Sequence, residues 1–552
     1  MRRILTILAA GLAGPCLYAQ LSAQPETWAV LQGRTLAPAD AGETLFLALE
    51  ARAKITASNL ANNPKVEARR LGEYAFEVLA KNDTLAAFRL MARLLALLHD
   101  KTPGEWLEVA SSLRFQLDRT VCPAGAMAHA TISPLFDPGY PLRGQYSLRV
   151  TVLDEKGMER KTLPPKPFES FEPREFTIPT SGLSEGAYRI RFDLLDKDGD
   201  SIAHALRSLF IHNTALARMR ALQEQSEKIV LSGVTQKSLP HSAASKALEY
   251  ITTLYQRASR EQVEGFAQSL SPIATLLDSK QITSYSTPPI RPEQDLAYAE
   301  SLAAQLLKGE NPLATMRGPL RMAYRSSVDQ SLQPYVLYLP PKYSAEKKWP
   351  LVVAIHPEAG DEGTYFERYL MPNGSGAMEH WASERGYVVI TPNLRGPLGH
   401  LIEKGSSDID EVVAEVGRTF SIDTGKIFLT GHMLGGASTL EISLNGKTQF
   451  AAFADVAGVP LRPLEYAKAP EIPLLFVVGG ADTTVAPDEA RRLGLLLEAR
   501  YKKLEYVELE QEDHRSIANA AFPLMFNFFD KVRDGKWKPS GTPVPLPKLR
   551  RN

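Results

Sequence analysis

Between residues 317 and 536, four short and almost continuous apolar runs, PLVVAIHP, GYVVITPN, KIFLTGH and IPLLFVVGG, alternate with amphipathic stretches such as MEHWASER, DIDEVVAEVGRTF and DEARRLGLLLEARYK. This alternation constrains the fold more than any other feature. Runs that lack the polar residue at every second position suit strands covered on both faces. The amphipathic stretches supply the covers. Strand and helix in alternation predict a doubly wound, mostly parallel sheet. A further strand is expected at YVLYLP, just ahead of the first run.

The upstream half reads differently. The chain has 552 residues, too many for one core, so several compact units are expected. Residues 24–122 read as a helical region, because GETLFLALEARAKI, KVEARRLGEYAFEVLA and DTLAAFRLMARLLALL repeat apolar residues three and four apart. Asp83 and Thr84 are candidate caps for the third of these, and Met91 reads as core. From residue 123 the period becomes two. Tyr146, Leu148, Val150 and Val152 alternate with polar neighbours, as do Tyr188, Ile190, Phe192 and Leu194. Residues 123–213 are therefore expected to form a small Ig-like β-sandwich. DKDGD, Asp196–Asp200, has its glycine in the fourth place rather than the sixth, so it reads as a hairpin turn and not a calcium loop. Residues 214–311 are expected as a helical linker region, 312–538 as the α/β domain, and 539–552, rich in proline and basic residues, as a flexible tail.

Residues 1–23 read as a cleaved export signal. Arg2 and Arg3 precede the apolar stretch ILTILAAGLAG, and small residues follow at Ala19 and Ala23. That stretch is short of the roughly 20 residues a spanning helix needs. The expectation is a periplasmic or extracellular protein with no stable membrane span. Lys+Arg and Asp+Glu both number 63, so charge gives no reason to expect a nucleic-acid partner. Cys122 is the only cysteine beyond that segment, which excludes an internal disulfide in the processed chain.

The chemistry concentrates in KIFLTGHMLGGAST, Lys426–Thr439. Gly431 and Gly435 flank Met433 at the spacing of a tight strand–turn–helix, and Gly436 follows. Downstream come VVGGADTTVAP, with Asp482, and EDHRS, with His514. With ERGYVVITPNLRG and YVLYLPPKYSAEKKWPLVVAIHP in order upstream, this region resembles the α/β-hydrolase superfamily. It is most similar to secreted esterases of the polyhydroxybutyrate-depolymerase and feruloyl-esterase type and to the catalytic domain of prolyl-oligopeptidase-like peptidases. The resemblance covers about two-fifths of the chain. It implies a nucleophile at position 433, an acid at Asp482 and a base at His514, in the superfamily's own order. It also implies oxyanion donors at the N–H of Leu434 and in the loop HPEAGDEG at Glu358.

Two residues depart from that pattern. Met433 stands where the superfamily has serine. A thioether has no proton to lose and cannot form an acyl ester, and removing a triad nucleophile costs about a million-fold in rate. Pro357 lacks the N–H that a second oxyanion donor needs, and a Glu358 carboxylate opposes a developing negative charge. Other hydroxyls read as structural: Ser438 inside the following helix, Ser375 as a helix cap, and Ser344 in the polar loop SAEK. His432 beside the apex reads as structural too. No HExxH or clustered His/Cys set suggests a metal, and no cofactor is expected. The expectation is an exported α/β-hydrolase-fold protein of the ester or peptide hydrolase class, catalytically disabled, that binds a small-molecule ester, peptide or polymer. The alternative is an active esterase or peptidase that uses Asp482 and His514 with an atypical nucleophile or an activated water.

Overall fold

The computed structural model describes residues 33–37, scattered positions between 44 and 78, then 83–99, 101–231, parts of 249–253, 292–310, 312–357, 360–395, 403–460, 471–501, 503–539 and 543–546. The export signal and most of the first two helical segments expected upstream lie outside these residues. No described helix is long and apolar enough to cross a membrane. The chain divides into two compact units, Met1–Leu222 with Leu254–Tyr298, and Gln223–Thr253 with Ala299–Asn552.

The first unit holds the helix Thr84–Leu98, with the Asp83 carboxylate accepting from Ala86 N–H at 3.1 Å as its cap. Two sheets follow, antiparallel except for a short parallel pairing of Val121–Cys122 with Ser201–Ile211 in the second. Leu113–Leu117, Met127–Pro134 and Arg174–Pro179 form one. The other is built on the long hairpin Gly186–Leu195 with Ser201–Ile211 and on Tyr146–Asp154 beside it. Their inner faces meet where the Phe115 and Phe192 rings lie 4.8 Å apart, tilted by 31°, and Arg207 Nε donates to the Phe115 carbonyl. The sandwich thus begins at Leu113, inside the stretch expected to be helical. The five residues LRFQL bury Leu113 and Phe115 in a strand that pairs with Met127–Pro134, and that pairing overrides helical periodicity. Asp196–Asp200 closes the hairpin, its Asp196 carboxylate accepting from the N–H groups of Asp198 and Asp200.

The region expected as a helical linker contributes residues to both units. Its helices bury apolar stripes, Ala215, Met219 and Leu222 in the first unit and Leu302, Ala303 and Leu306 in the second. An amphipathic helix that buries a stripe belongs to a core rather than to a solvated connection.

The second unit is built on an eight-stranded sheet. Its strands are β1 (Gly318–Arg325), β2 (Leu332–Leu339), β3 (Trp349–Ile355), β4 (Val388–Pro392), β5 (Ile422–His432), β6 (Ala452–Val456), β7 (Leu474–Gly479) and β8 (Leu504–Leu509). Their spatial order is 1-2-4-3-5-6-7-8. β2 runs antiparallel to β1 and to β4, and every other pairing is parallel. Helices α1 (Ala377–Arg385), α2 (Glu403–Thr419), α3 (Leu434–Asn445), α4 (Pro487–Arg500) and α5 (Ser516–Arg533) intervene.

Val352, Ala354, Phe428, Ala454 and Val477 share a core with Met378 of α1 and with Phe522, Phe526 and Phe529 of α5. The alternate residues of the same strands, Leu351, Val353, Leu429 and Phe476, are equally buried, so both faces are covered. β1, β6 and β8 were not among the expected strands: β1 and β8 are edge strands with fewer buried positions, and β6 is a five-residue buried strand whose apolar run is broken by Asp455. The expected loose tail is partly packed: Val544 is buried, and Gly494 of α4 leaves the notch it fills, since a Cβ there would stand 2.9 Å from Val544 Cγ1.

Candidate active site

The register of the parallel strands decides which loops meet. Ile355 pairs with Gly431, His432 with Val456, Val456 with Val477, and Gly479 with Leu509. The carboxyl ends of β3, β5, β6, β7 and β8 are therefore level. The residues just beyond them, His356, Met433, Ala457, Asp482 and His514, share one end of the sheet. β3 lies between β4 and β5, so the strand order switches direction at that end, where open α/β sheets bind ligands.

Met433 sits at the apex between β5 and α3 with φ 57° and ψ −119°. A bulky residue held at positive φ costs about 1–3 kcal/mol and persists only where the surroundings enforce it. Here Met433 N–H donates to the Val456 carbonyl at 2.9 Å, and the Met433 carbonyl accepts from Ala437 N–H at 3.0 Å. The flanking glycines are obligatory. A Cβ at Gly431 would lie 2.1 Å from the Gly435 carbonyl oxygen, and one at Gly435 would lie 2.3 Å from that of Ile355. The turn thus keeps its strain and tightness although its residue carries no attackable oxygen.

His514 and Asp482 form a buried pair. His514 Nδ1 stands 2.6 Å from Asp482 Oδ2, and Asp482 Oδ1 accepts from the N–H groups of Thr484 and Val485 at 2.8 Å each. Because a carboxylate only accepts, this contact needs the proton on Nδ1, and in the neutral ring Nε2 is then a lone-pair acceptor. The His514 side chain retains 9% of its surface and Asp482 only 2%.

Leu434 is the first residue of α3 and is buried. Glu358 lies outside the described residues. Next to it, the Pro357 carbonyl accepts from Gly360 N–H at 3.0 Å and also faces His356 Nδ1 at 2.8 Å, while His356 Nε2 lies 2.9 Å from the Asn393 carbonyl. The buried His356 ring thereby spans the loops after β3 and β4.

None of the three serines Ser438, Ser375 and Ser344 takes the apex. Ser438 Oγ donates to the Leu434 carbonyl within α3. Ser375 is not a helix cap, since Gly376 holds that position. Its hydroxyl and N–H instead close a turn on Asn373 Oδ1. Ser344 Oγ accepts from Glu346 N–H in its own loop, and Lys347 sits over the Trp349 ring. Among the described residues, no group of three or more metal-ligating side chains is present.

Two features went unread in the sequence. His432, assigned only a structural role, lies against the histidine loop: its Nε2 is 3.0 Å from the His514 carbonyl and its Nδ1 is 2.9 Å from the Tyr369 hydroxyl. Asp455, at the end of β6, is fully buried beneath α3. A Cβ at Gly436 would stand 2.3 Å from Asp455 Oδ1. Its only signal was a lone acid inside the apolar run AAFADVAG.

No family model matches the chain. Among solved structures, S-formylglutathione hydrolase from Staphylococcus aureus is similar at 19% identity over 39% of this chain and 98% of that one, with a TM-score of 0.33. A ferulic acid esterase from the anaerobic fungus Anaeromyces mucronatus is similar at 15% identity over 40% of this chain and 96% of that one, with a TM-score of 0.34.

Proposed function

We propose that this chain is an exported α/β-hydrolase-fold protein of ester or peptide hydrolase descent whose C-terminal site binds a ligand without efficient turnover. The observation that carries the reading is Met433 at a strained, fully formed apex beside an oriented His514–Asp482 pair. Nucleophilic catalysis needs a proton on the attacking atom for the histidine to take, and the thioether has none. What remains is an imidazole acceptor aimed by a carboxylate. It suits a hydroxyl-bearing ligand, or the alcohol portion of an ester or polymer, which occupies the place a serine hydroxyl would hold.

A second reading rests on the same pair. An oriented imidazole can remove a proton from water and so support slow hydrolysis without a covalent intermediate. Hydrolysis of p-nitrophenyl butyrate by the purified protein, compared with its His514→Ala variant, separates the two. Equal rates are expected. Turnover that exceeds the variant's sinks the binding reading in favour of water activation.

A further inference from the structure

The geometry points to His432 as a positioning residue that fixes the His514 loop, with Tyr369 setting its tautomer. The His514 carbonyl can only accept, so the 3.0 Å contact requires a proton on His432 Nε2. His432 Nδ1 is then an acceptor, and the Tyr369 hydroxyl donates to it at 2.9 Å. Burial, reinforced by the neighbouring His514, holds the His432 imidazole down at about 3, so the ring stays neutral and keeps one donor and one acceptor near neutral pH. The Tyr369 and His432 rings meet edge to face at 5.8 Å, and the Tyr365 and Phe522 rings also pack against Tyr369, at 5.2 and 6.0 Å. The hydroxyl therefore has little freedom to turn away.

The consequence is a linkage between three separate pieces of chain. Tyr369 opens the small hairpin in which Leu370 pairs with Gly376. His432 is the last residue of β5, directly before Met433. His514 precedes α5. His514 is thus held twice, by its side chain on Asp482 and by its backbone on His432. Without the second tie, the loop keeps the turn bonds of Asp513 to Arg515 and Ser516 and the Glu512 carbonyl's bond from Ala481 N–H, but the His514 carbonyl loses its tie to β5, and the 2.6 Å contact to Asp482 loosens.

That role in binding rests on the reading of His514 as the ligand-contacting group. The test reads the positioning itself. The His514 Nδ1–H in a short bond to a carboxylate gives a far-downfield proton NMR resonance, assigned by its loss in His514→Ala. In His432→Phe the resonance is expected to vanish or to exchange with water at least tenfold faster. In His432→Gln, whose amide can still donate to the carbonyl, it is expected to return. Tyr369→Phe removes a partly exposed hydroxyl and keeps the ring, and its expected effect is about fivefold faster exchange, the worth of one net hydrogen bond. An unchanged resonance and unchanged exchange in folded Tyr369→Phe and His432→Phe overturn the inference. If His432→Phe does not fold, Tyr369→Phe and His432→Gln decide it. If the resonance depends on His432 while p-nitrophenyl butyrate hydrolysis exceeds that of His514→Ala, the positioning stands and the binding reading falls.

Discussion

Asp455 offers a quantitative test of how the site is built. Its side chain is fully buried behind the turn. Oδ1 accepts one hydrogen bond, from Gly458 N–H at 2.8 Å, and no described residue bonds Oδ2. Burial pushes the carboxyl well above its ordinary range, opposed only by the Gly458 bond. Below about pH 4 the group is neutral in both the folded and unfolded chain and contributes no pH dependence. Above that, the unfolded chain releases the proton while the folded one retains it, so stability falls as pH rises. One proton corresponds to about 1.4 kcal/mol per pH unit for as long as the folded acid stays protonated. Asp455→Asn keeps the size and the acceptor for Gly458 N–H but cannot ionise. The stability of the natural protein relative to this variant should therefore decline between pH 5 and pH 6, by at most about 1.4 kcal/mol. A chain of two units need not unfold in one step, so the readout is native-state hydrogen exchange in peptides spanning β5 and β6. A gap that is the same at both pH values would show that Asp455 ionises in the folded protein, and the burial argument would be wrong.

Three further outcomes follow from the same geometry. Met433→Ser should react with a fluorophosphonate probe, visible as a mass shift, because the His514–Asp482 pair is in place to take the hydroxyl proton; absence of labelling in folded protein would mean that the His514–Asp482 pair cannot activate a hydroxyl at this apex. Gly431→Ala should destabilise the second unit by about 3 kcal/mol or more, since its Cβ would fall 2.1 Å from a carbonyl oxygen, and a melting temperature within a degree or two of the natural protein would refute the tight-turn account. Cys122 is fully buried and its thiol is pushed up to about 11, chiefly by burial, so it should resist a disulfide-exchange reagent at pH 8 and react fully in urea; fast reaction in the native protein would contradict its placement.

The sequence by itself determined the parallel core of the second unit, because β3, β4, β5 and β7 are apolar at consecutive positions and only strands covered on both faces can bury such runs. It also determined the tight turn, since the spacing of Gly431, Gly435 and Gly436 is local, and Gly431 and Gly435 each avoid a backbone carbonyl, four residues on and on the adjacent strand respectively; that Gly436 makes room for the Asp455 side chain only the fold decides. It placed Met433, Asp482 and His514 in order along the chain, but not in space. Only the strand register brings Asp482 and His514, 32 positions apart, to within hydrogen-bond distance. The His432 contact spans 82 positions and the Tyr369 contact 63, and neither has a local pattern to announce it. The strand at Leu113–Leu117 was misread for the same reason: five residues carry a weak period, and the decision between helix and strand fell to a partner that pairs with them from Met127–Pro134. Periodicity records which side of an element is apolar. Which element lies against that side, and so which polar groups meet there, is settled by pairing and packing between residues far apart in the chain.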